Sequence, residues 1–414
     1  MPLTADELLR SPNPLAPDYS RFRVAERLLL TGHSHQAWPD RGFDGQVQAW
    51  LDAARWVDEK WDQAFSQAER VRRGYARLLG DEDHDDCGDG KNRDDGSIAL
   101  AASTHDLVIR FLSALPLANR PRLLTTDGEY HTIRRQLDRL SEEGVAVDRV
   151  AADPATTVAE RLAAALDDRT AAVLVSAVFY QSARIVPHLG DLLQSCLARD
   201  IPLLVDAYHA LSVIPFSLKR EGLAEAYVVG GGYKYCQLGE GNAFLRFPRD
   251  CAMRPVITGW FSEFDALAQS APGSRVTYGE GPARFGGATY DPSSHYRAAA
   301  VFDYFEEKGL TPSLLRRVSQ HQVGQLIELF DGLDADPHVI SRDRDVPLAA
   351  RAGFFTLHSP HAAWLCARLR ERDVLTDYRG QTLRLGPAPY LSDDQLGGSM
   401  AILGAILTEP STPF

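Results

Sequence analysis

The sequence predicts an α/β protein: a mostly parallel sheet flanked by helices, followed by a smaller α/β domain. Three observations carry this reading. Short apolar runs of strand length alternate with helical stretches between residues 97 and 205, the pattern of βαβ units. One of those runs ends in an aspartate and a later run ends in three glycines, at the strand edge where open α/β sheets bind ligands. Near Tyr290 the texture changes to two long helical stretches and then a short αβ section.

Taken in order, residues 1–45 are Pro-rich and irregular, with His33-Ser34-His35 ahead of Trp38-Pro39. Trp50, Ala53, Ala54, Val57 and Trp61 recur at three- and four-residue steps and predict a helix over 46–79. The segment 81–96 is mostly Asp and Gly. Asp83, Asp85, Gly88 and Asp94 fall at positions 1, 3, 6 and 12 of a calcium-loop pattern. Cys87 occupies position 5, however, Asp94 replaces the bidentate Glu, and a strand follows where a helix is required, so a solvated insertion is expected. Strands are predicted at 97–101, 122–126, 145–151, 171–177 and 202–205, and helices at 106–115, 132–144, 158–166 and 189–198. Helices 297–308 and 312–331 follow, then strands near 353–357 and 382–386 with a helix at 362–370 between them. The expected division is 1–45 joining the small domain, 46–290 as the large domain and 291–414 as the small one.

Composition bounds the function. The chain has 414 residues, 44% hydrophobic and 24% charged, which fits a soluble globular protein whose core needs no disulfide staples. With 44 Lys plus Arg against 56 Asp plus Glu, the formal charge is −12. Such a surface repels phosphate backbones, and the doublets Arg134-Arg135 and Arg316-Arg317 are no more than solvated helix faces, so no nucleic-acid partner is expected. Five cysteines (Cys87, Cys196, Cys236, Cys251, Cys366) show no paired spacing and read as free thiols of a reducing compartment. The first residues lack the basic and apolar regions of a signal peptide, and no apolar run reaches the ~18 residues of a membrane span. A cytoplasmic protein with no membrane partner is expected.

The chemistry concentrates in Ile201-Pro-Leu-Leu-Val-Asp206-Ala-Tyr-His209 and in Gly230-Gly-Gly-Tyr233-Lys234-Tyr235, with Lys234 28 residues after Asp206. An apolar strand ending in Asp206 sets a carboxylate at the ligand edge of the sheet. The three glycines let backbone approach a ligand closely before Lys234 is presented. A strand-end Asp with a later Lys suits pyridoxal phosphate (PLP): the amine forms a Schiff base with the cofactor aldehyde, and the carboxylate keeps the pyridinium nitrogen protonated. Read singly, Asp206 is a helix cap and Lys234 a surface lysine.

With Gly259-Trp260-Phe261 and Leu383-Arg384-Leu385-Gly386-Pro387-Ala388-Pro389-Tyr390 added, the chain resembles the class V aminotransferases, and among them most of all the kynureninases. Matches run in order from about residue 28 to 395. The resemblance implies a fold-type-I enzyme with a seven-stranded sheet, PLP as cofactor, an amino acid substrate and a homodimer. Lys234, Asp206 and Tyr233 would be catalytic. Ser103 and Thr104, at a helix N-terminus that attracts anions, would bind the cofactor phosphate. Tyr130 would stack on its ring, and His209, Tyr233, Trp260 and Thr289 would complete its site, Thr289 from the neighbouring subunit. Phe179-Tyr180-Gln181-Ser182 would line the cofactor. Arg384 would hold the substrate carboxylate, with His35 and Phe261 also on the substrate side; the other reading of Arg384 is an ion pair with Asp377 across a turn.

The departures from the kynureninase pattern fall on substrate-facing segments. Glu263 stands where an imidazole is expected, Tyr180-Gln181-Ser182-Ala183 lacks the pattern's glycine, and His33-Ser34-His35 replaces Asn-Ser-Leu-Gly. His33 and His35 have no third ligand nearby, so no metal is expected. Cys236 is too close to Lys234 to serve as a mobile sulfur acceptor, and Cys366 falls on a helix. The leading reading is hydrolysis of the Cβ–Cγ bond of kynurenine or a related β-acyl amino acid. PLP-dependent lyase, C–S lyase or aminotransferase chemistry is the alternative, and a cofactor-binding sensor is the non-enzymatic one.

Overall fold

Gly45 and Gly74 lie 29 residues apart, yet both press on one helix, and this decides the architecture of the N-terminal third. The structure, a computed structural model, describes residues 3–81, 97–269 and 275–409. Its chain order begins α1 (Ala5–Leu8), β1 (Leu28–Leu29), α2 (Asp40–Trp56), α3 (Lys60–Leu79), β2 (Ile98–Ala101) and α4 (Thr104–Ser113). Then come β3 (Arg122–Thr126), α5 (His131–Glu142), β4 (Ala146–Val150), α6 (Val158–Ala164), β5 (Thr170–Ser176) and α7 (Leu189–Leu197). The middle adds β6 (Leu203–Asp206), β7 (Tyr227–Gly231), β8 (Ala243–Arg246), α8 (Ser293–Lys308) and α9 (Pro312–Asp331). The C-terminal part holds β9 (Phe355–His358), α10 (Ala362–Arg370), β10 (Val374–Leu375), β11 (Asp377–Arg379), β12 (Thr382–Leu385) and α11 (Asp393–Leu407).

The single helix expected over 46–79 is two helices, α2 and α3, broken at Val57, whose φ of 51° turns the chain. A Cβ on Gly45 would stand 2.5 Å from the Tyr296 carbonyl oxygen, and one on Gly74 would stand 2.4 Å from the Phe302 ring. Both partners are on α8. A straight helix would carry Gly45 and Gly74 about 44 Å apart at ~1.5 Å per residue, nearly twice the length of α8. The chain therefore doubles back. The residues that gave the periodicity do not face α8: Trp50 and Val57 are exposed, and α2 meets α8 through Gly42 and Gly45.

The main sheet has seven strands in the order β2-β8-β7-β6-β5-β3-β4. β4, β3, β5, β6 and β7 run parallel, and β8 is antiparallel to both β7 and β2. The mostly parallel seven-stranded α/β fold expected from sequence is the fold found. Strand β5 is buried throughout: Ala172 and Leu174 face a layer with Leu107, Phe111 and Leu137, while Val173 and Val175 face a layer with Leu189, Leu193 and Phe244. Helices thus cover both faces, as a parallel sheet requires. Strand β8 and helix α11 were not read from the sequence.

A second sheet, β11-β12-β9, is antiparallel, and β1 pairs in parallel with β10, tying the N-terminal segment to the C-terminal part. Arg184 and Arg351 form an isolated antiparallel bridge between the two parts of the chain. The Asp/Gly segment from 82 to 96, with the calcium-loop positions and Cys87, lies outside the described residues. Asp81, just before it, is gripped by Arg246 at 2.7 and 3.0 Å. No helix among the described residues is long and apolar enough to cross a membrane.

Candidate active site

Parallel β6 and β7 end side by side, with Asp206 opposite Val229 in register. Beyond Asp206 the chain turns sharply, and the Tyr208 N–H donates to the Asp206 carboxylate at 2.9 Å. The turn brings His209 back under the sheet edge. Beyond β7 the backbone has no room for side chains: a Cβ on Gly231 would lie 2.5 Å from the Tyr208 hydroxyl, and one on Gly232 would lie 2.6 Å from Leu238. Those glycines deliver Lys234 into a cleft also lined by Thr104, Tyr130, Asp206, His209 and Tyr233.

Lys234 is 6% exposed. Its Nζ lies 2.8 Å from His209 Nε2, and the rings of Tyr208 and Tyr130 stand 4.5 and 5.3 Å away. Burial pulls the ammonium down to about 7, against the pull of the Asp206 charge in the other direction. Burial drives His209 well below the ordinary imidazole range, so it is neutral, and the nearby Lys234 charge adds to that. Its Nδ1 is buried with no hydrogen-bond partner. Burial raises the Asp206 carboxyl, offset by the Tyr208 N–H and by Lys234. The Tyr233 hydroxyl is pushed up to about 12, chiefly by burial.

At the other wall Ser103 caps α4, its hydroxyl accepting from the Asp106 N–H at 3.3 Å. Thr104 begins the helix and faces the cleft. His35 stacks on Tyr233 at 4.7 Å and 19°, with its imidazole largely exposed and 3.6 Å from Glu240. His33 goes the other way: it is fully buried, 2.8 Å from Asp377 and stacked on Phe354.

Arg384 is 3% exposed and makes the ion pair that the sequence reading set beside the substrate role. Nε and Nη2 meet Asp377 at 2.8 and 2.5 Å, and Nη1 donates to the Tyr180 carbonyl at 2.6 Å. That is a side-on fork, so the Nη1–Nη2 edge of the guanidinium retains N–H donors.

Trp260, Phe261 and Thr289 do not line the Lys234 cleft of their own chain. Trp260 stacks on Phe261 at 4.3 Å, and Phe261 packs against Trp61, Phe65, Phe264 and Tyr290. This leaves Trp260 43% and Phe264 45% exposed, with Thr289 also at the surface. Glu263 accepts the Thr277 hydroxyl.

Sequence reading missed Glu129, next to Tyr130. It is 2% exposed, with Thr126 Oγ1 donating to Oε1 at 2.6 Å and Ser176 Oγ to Oε2 at 2.6 Å. Burial raises its carboxyl to about 7. Ser176 is the register partner of Asp206, so Glu129 ties the segment that presents Tyr130 to the strand beside Asp206. A buried acid in a turn after a strand has no periodic signature; only its place before Tyr130 marked it.

Solved structures with this arrangement of strands and helices match along almost the whole chain. The cystine C–S lyase C-DES, with glycine covalently linked to its PLP cofactor, superposes with a TM-score of 0.78 over 95% of this chain and 99% of that one, at 16% identity. Apo cysteine desulfurase from Thermococcus onnurineus NA1 gives 0.73 at 17% identity over 92% and 95%. The cysteine desulfurase CsdA of Escherichia coli gives 0.73 at 13% identity over 97% and 98%. The chain has the α/β architecture of those structures, with its seven-stranded, mostly parallel sheet. In sequence it is similar to kynureninases: it is 25% identical to that of Geobacillus thermodenitrificans over 264 residues, 60% of this chain. That match spans only 58% of the relative's length. The Bacillus cereus kynureninase is 23% identical over 402 residues, 92% of this chain and 85% of the relative. No family model matches the chain.

The cleft fits PLP by the chemistry of its donors. It holds a lysine amine that is half neutral near pH 7, a strand-end carboxylate, a buried imidazole with an unpartnered nitrogen, and a helix N-terminus with hydroxyls.

Proposed function

We propose that this chain is a PLP-dependent enzyme that hydrolyses the Cβ–Cγ bond of an α-amino acid bearing a β-acyl side chain, kynurenine or a close analogue. The observation that carries the cofactor assignment is the Lys234 amine, buried at 2.8 Å from neutral His209 and held to about 7. The kynureninase relatives support the reaction class.

Ser103, Thr104 and the first N–H groups of α4 would take the cofactor phosphate, Tyr130 would cover the ring, and Asp206 would face its pyridine nitrogen. His209 and Tyr233 would complete the cradle. Bound there, PLP supplies an aldehyde that takes up a primary amine and a ring that accepts electrons. The chain's own groups do the rest. Lys234 Nζ, free of its proton in about half the molecules near pH 7, is both nucleophile and proton carrier. Tyr233, with its hydroxyl held to about 12, stays protonated and donates. The Nη1–Nη2 edge of Arg384 would receive the substrate carboxylate while Asp377 holds its other edge. His35, against Tyr233, would border the substrate. In a homodimer, the exposed Trp260 and Thr289, with the half-buried Phe261 behind Trp260, would complete the neighbouring subunit's site. The pairing of β1 with β10 supports assigning residues 1–45 to the small domain.

A second reading, a PLP-dependent C–S lyase, is favoured by the architecture of C-DES. A desulfurase using Cys236 is not: that thiol is buried and pushed up to about 12.

The test supplies kynurenine and 3-hydroxykynurenine, following anthranilate-type fluorescence and alanine release, with cystine as the competing substrate. Alanine from a kynurenine, lost in Lys234→Ala, is expected. Persulfide from cystine with no response to kynurenines would replace the hydrolase by the lyase. Light scattering is expected to give twice the chain mass.

A further inference from the structure

Three arginines are buried among the described residues, and two of them each hold a carboxylate. Arg246, 4% exposed, forks onto Asp81, and Arg384, 3% exposed, forks onto Asp377. Arg351 is the most deeply buried at 1%, and no carboxylate pairs with it among the described residues. Its Nη2 donates to the Asp343 carbonyl at 2.7 Å, and its Nε is buried with no acceptor. The Asp343 side chain is already paired with Arg184, which also holds Asp153. The Arg351 guanidinium thus has one backbone acceptor and the Asp343 charge nearby, but no carboxylate fork of its own such as Arg246 and Arg384 have.

Arg351 borders a cavity of about 330 Å³ between the 179–184 segment and the small antiparallel sheet. Phe179 and Leu357 give it apolar walls, and Ser182 and Thr382 give it hydroxyls. Tyr180, between Phe179 and Gln181, faces the Lys234 cleft instead, so the segment divides the two spaces. Two cationic groups, Arg184 and Arg351, and two anionic ones, Asp153 and Asp343, border the cavity. Both aspartates are held by Arg184, so the N–H left for a carboxylate is the unpartnered Nε of Arg351, and a dianion would meet the two aspartates.

We infer that this cavity binds a small monocarboxylate with a compact apolar body, its carboxylate on Arg351 and its body between Phe179 and Leu357. The planar fork of a guanidinium matches a carboxylate, as Arg246 and Arg384 show in the same chain. Because elements on both sides of the cleft contribute, the occupied cavity would hold the small sheet against the 179–184 segment. The Tyr180 carbonyl of that segment receives Arg384, so occupancy would also steady the guanidinium proposed for substrate.

The test is calorimetric titration of the full-length holoprotein with benzoate, and with benzamide as the neutral isostere. Benzoate is expected to bind once per chain in the millimolar range or tighter, and benzamide at least about tenfold more weakly. Thr382→Trp, which puts a large ring into the cavity and leaves the Arg351 side chain in place, and Arg351→Gln should each weaken benzoate by at least about tenfold. No benzoate binding to the wild type, equal binding of benzamide, or full binding retained in Thr382→Trp would overturn the inference. So would binding abolished by Arg384→Ala but unchanged in Arg351→Gln, which would place benzoate in the Lys234 cleft. Since benzoate carries no amine, Lys234→Ala should bind it as the wild type does, whatever reaction the Lys234 site performs.

Discussion

Lys234 should behave chemically as a lysine of the neutral range. An ordinary lysine, near 10.5, is neutral in only about 3 × 10⁻⁴ of molecules at pH 7, whereas one held to about 7 is neutral in about half, a gain of about 10³-fold. Burial supplies the shift and Asp206 opposes it, so Asp206→Asn should lower the value further. The assay is pulsed reductive methylation of cofactor-stripped full-length protein across pH 5–10, reading the Lys234 peptide by mass spectrometry against that of exposed Lys219. Burial slows reagent access at every pH equally, so the profile carries the information rather than the absolute rate. Labelling of Lys234 should rise to a plateau with its midpoint near pH 7, and the midpoint should fall in Asp206→Asn. A Lys234 profile that climbs tenfold per pH unit through pH 9, or a midpoint that rises in Asp206→Asn, would refute the electrostatic account of the site.

Asp377→Ala leaves Arg384 and His33 buried without their carboxylate; urea denaturation should show a loss of about 3–5 kcal/mol, much of it recovered in the Asp377→Ala, Arg384→Met double variant. Glu129 is raised to about 7 from 4.5, so the folded chain keeps a proton that the unfolded chain releases between those values. The associated stability is full below pH 4.5 and is lost as pH rises through 7, with an upper bound of about 3 kcal/mol. Glu129→Gln does not titrate, so its melting temperature should gain on the wild type between pH 5 and pH 8. Gly45→Ala places a methyl against the Tyr296 backbone, which cannot swing aside, so the α2–α8 contact should open at a cost of about 1–3 kcal/mol measured by denaturation.

What the sequence disclosed and what it hid follow one physical division. Signals written along a single segment were legible: alternating apolar strands of βαβ length, the aspartate that ends β6, and the glycines ahead of Lys234, whose lack of side chains the close approach of Tyr208 and Leu238 explains. Signals written between distant segments were not. The break at Val57 is dictated by α8, more than 200 residues later, and cannot be seen in the helical periodicity of 46–79. His33 reads locally as half of a His-Ser-His cluster, but its partner Asp377 lies 344 residues on. The same limit separates the site residues. Asp206, His209, Tyr233 and Lys234 come from two adjacent strand ends and meet at one cleft, whereas Trp260 and Thr289 lie at the surface away from it. Arg351 is the extreme case. Nothing in Ala350-Arg351-Ala352 distinguishes it from a surface arginine, and only the fold shows it buried beside a cavity of about 330 Å³ with its Nε unpartnered and no carboxylate paired to it among the described residues.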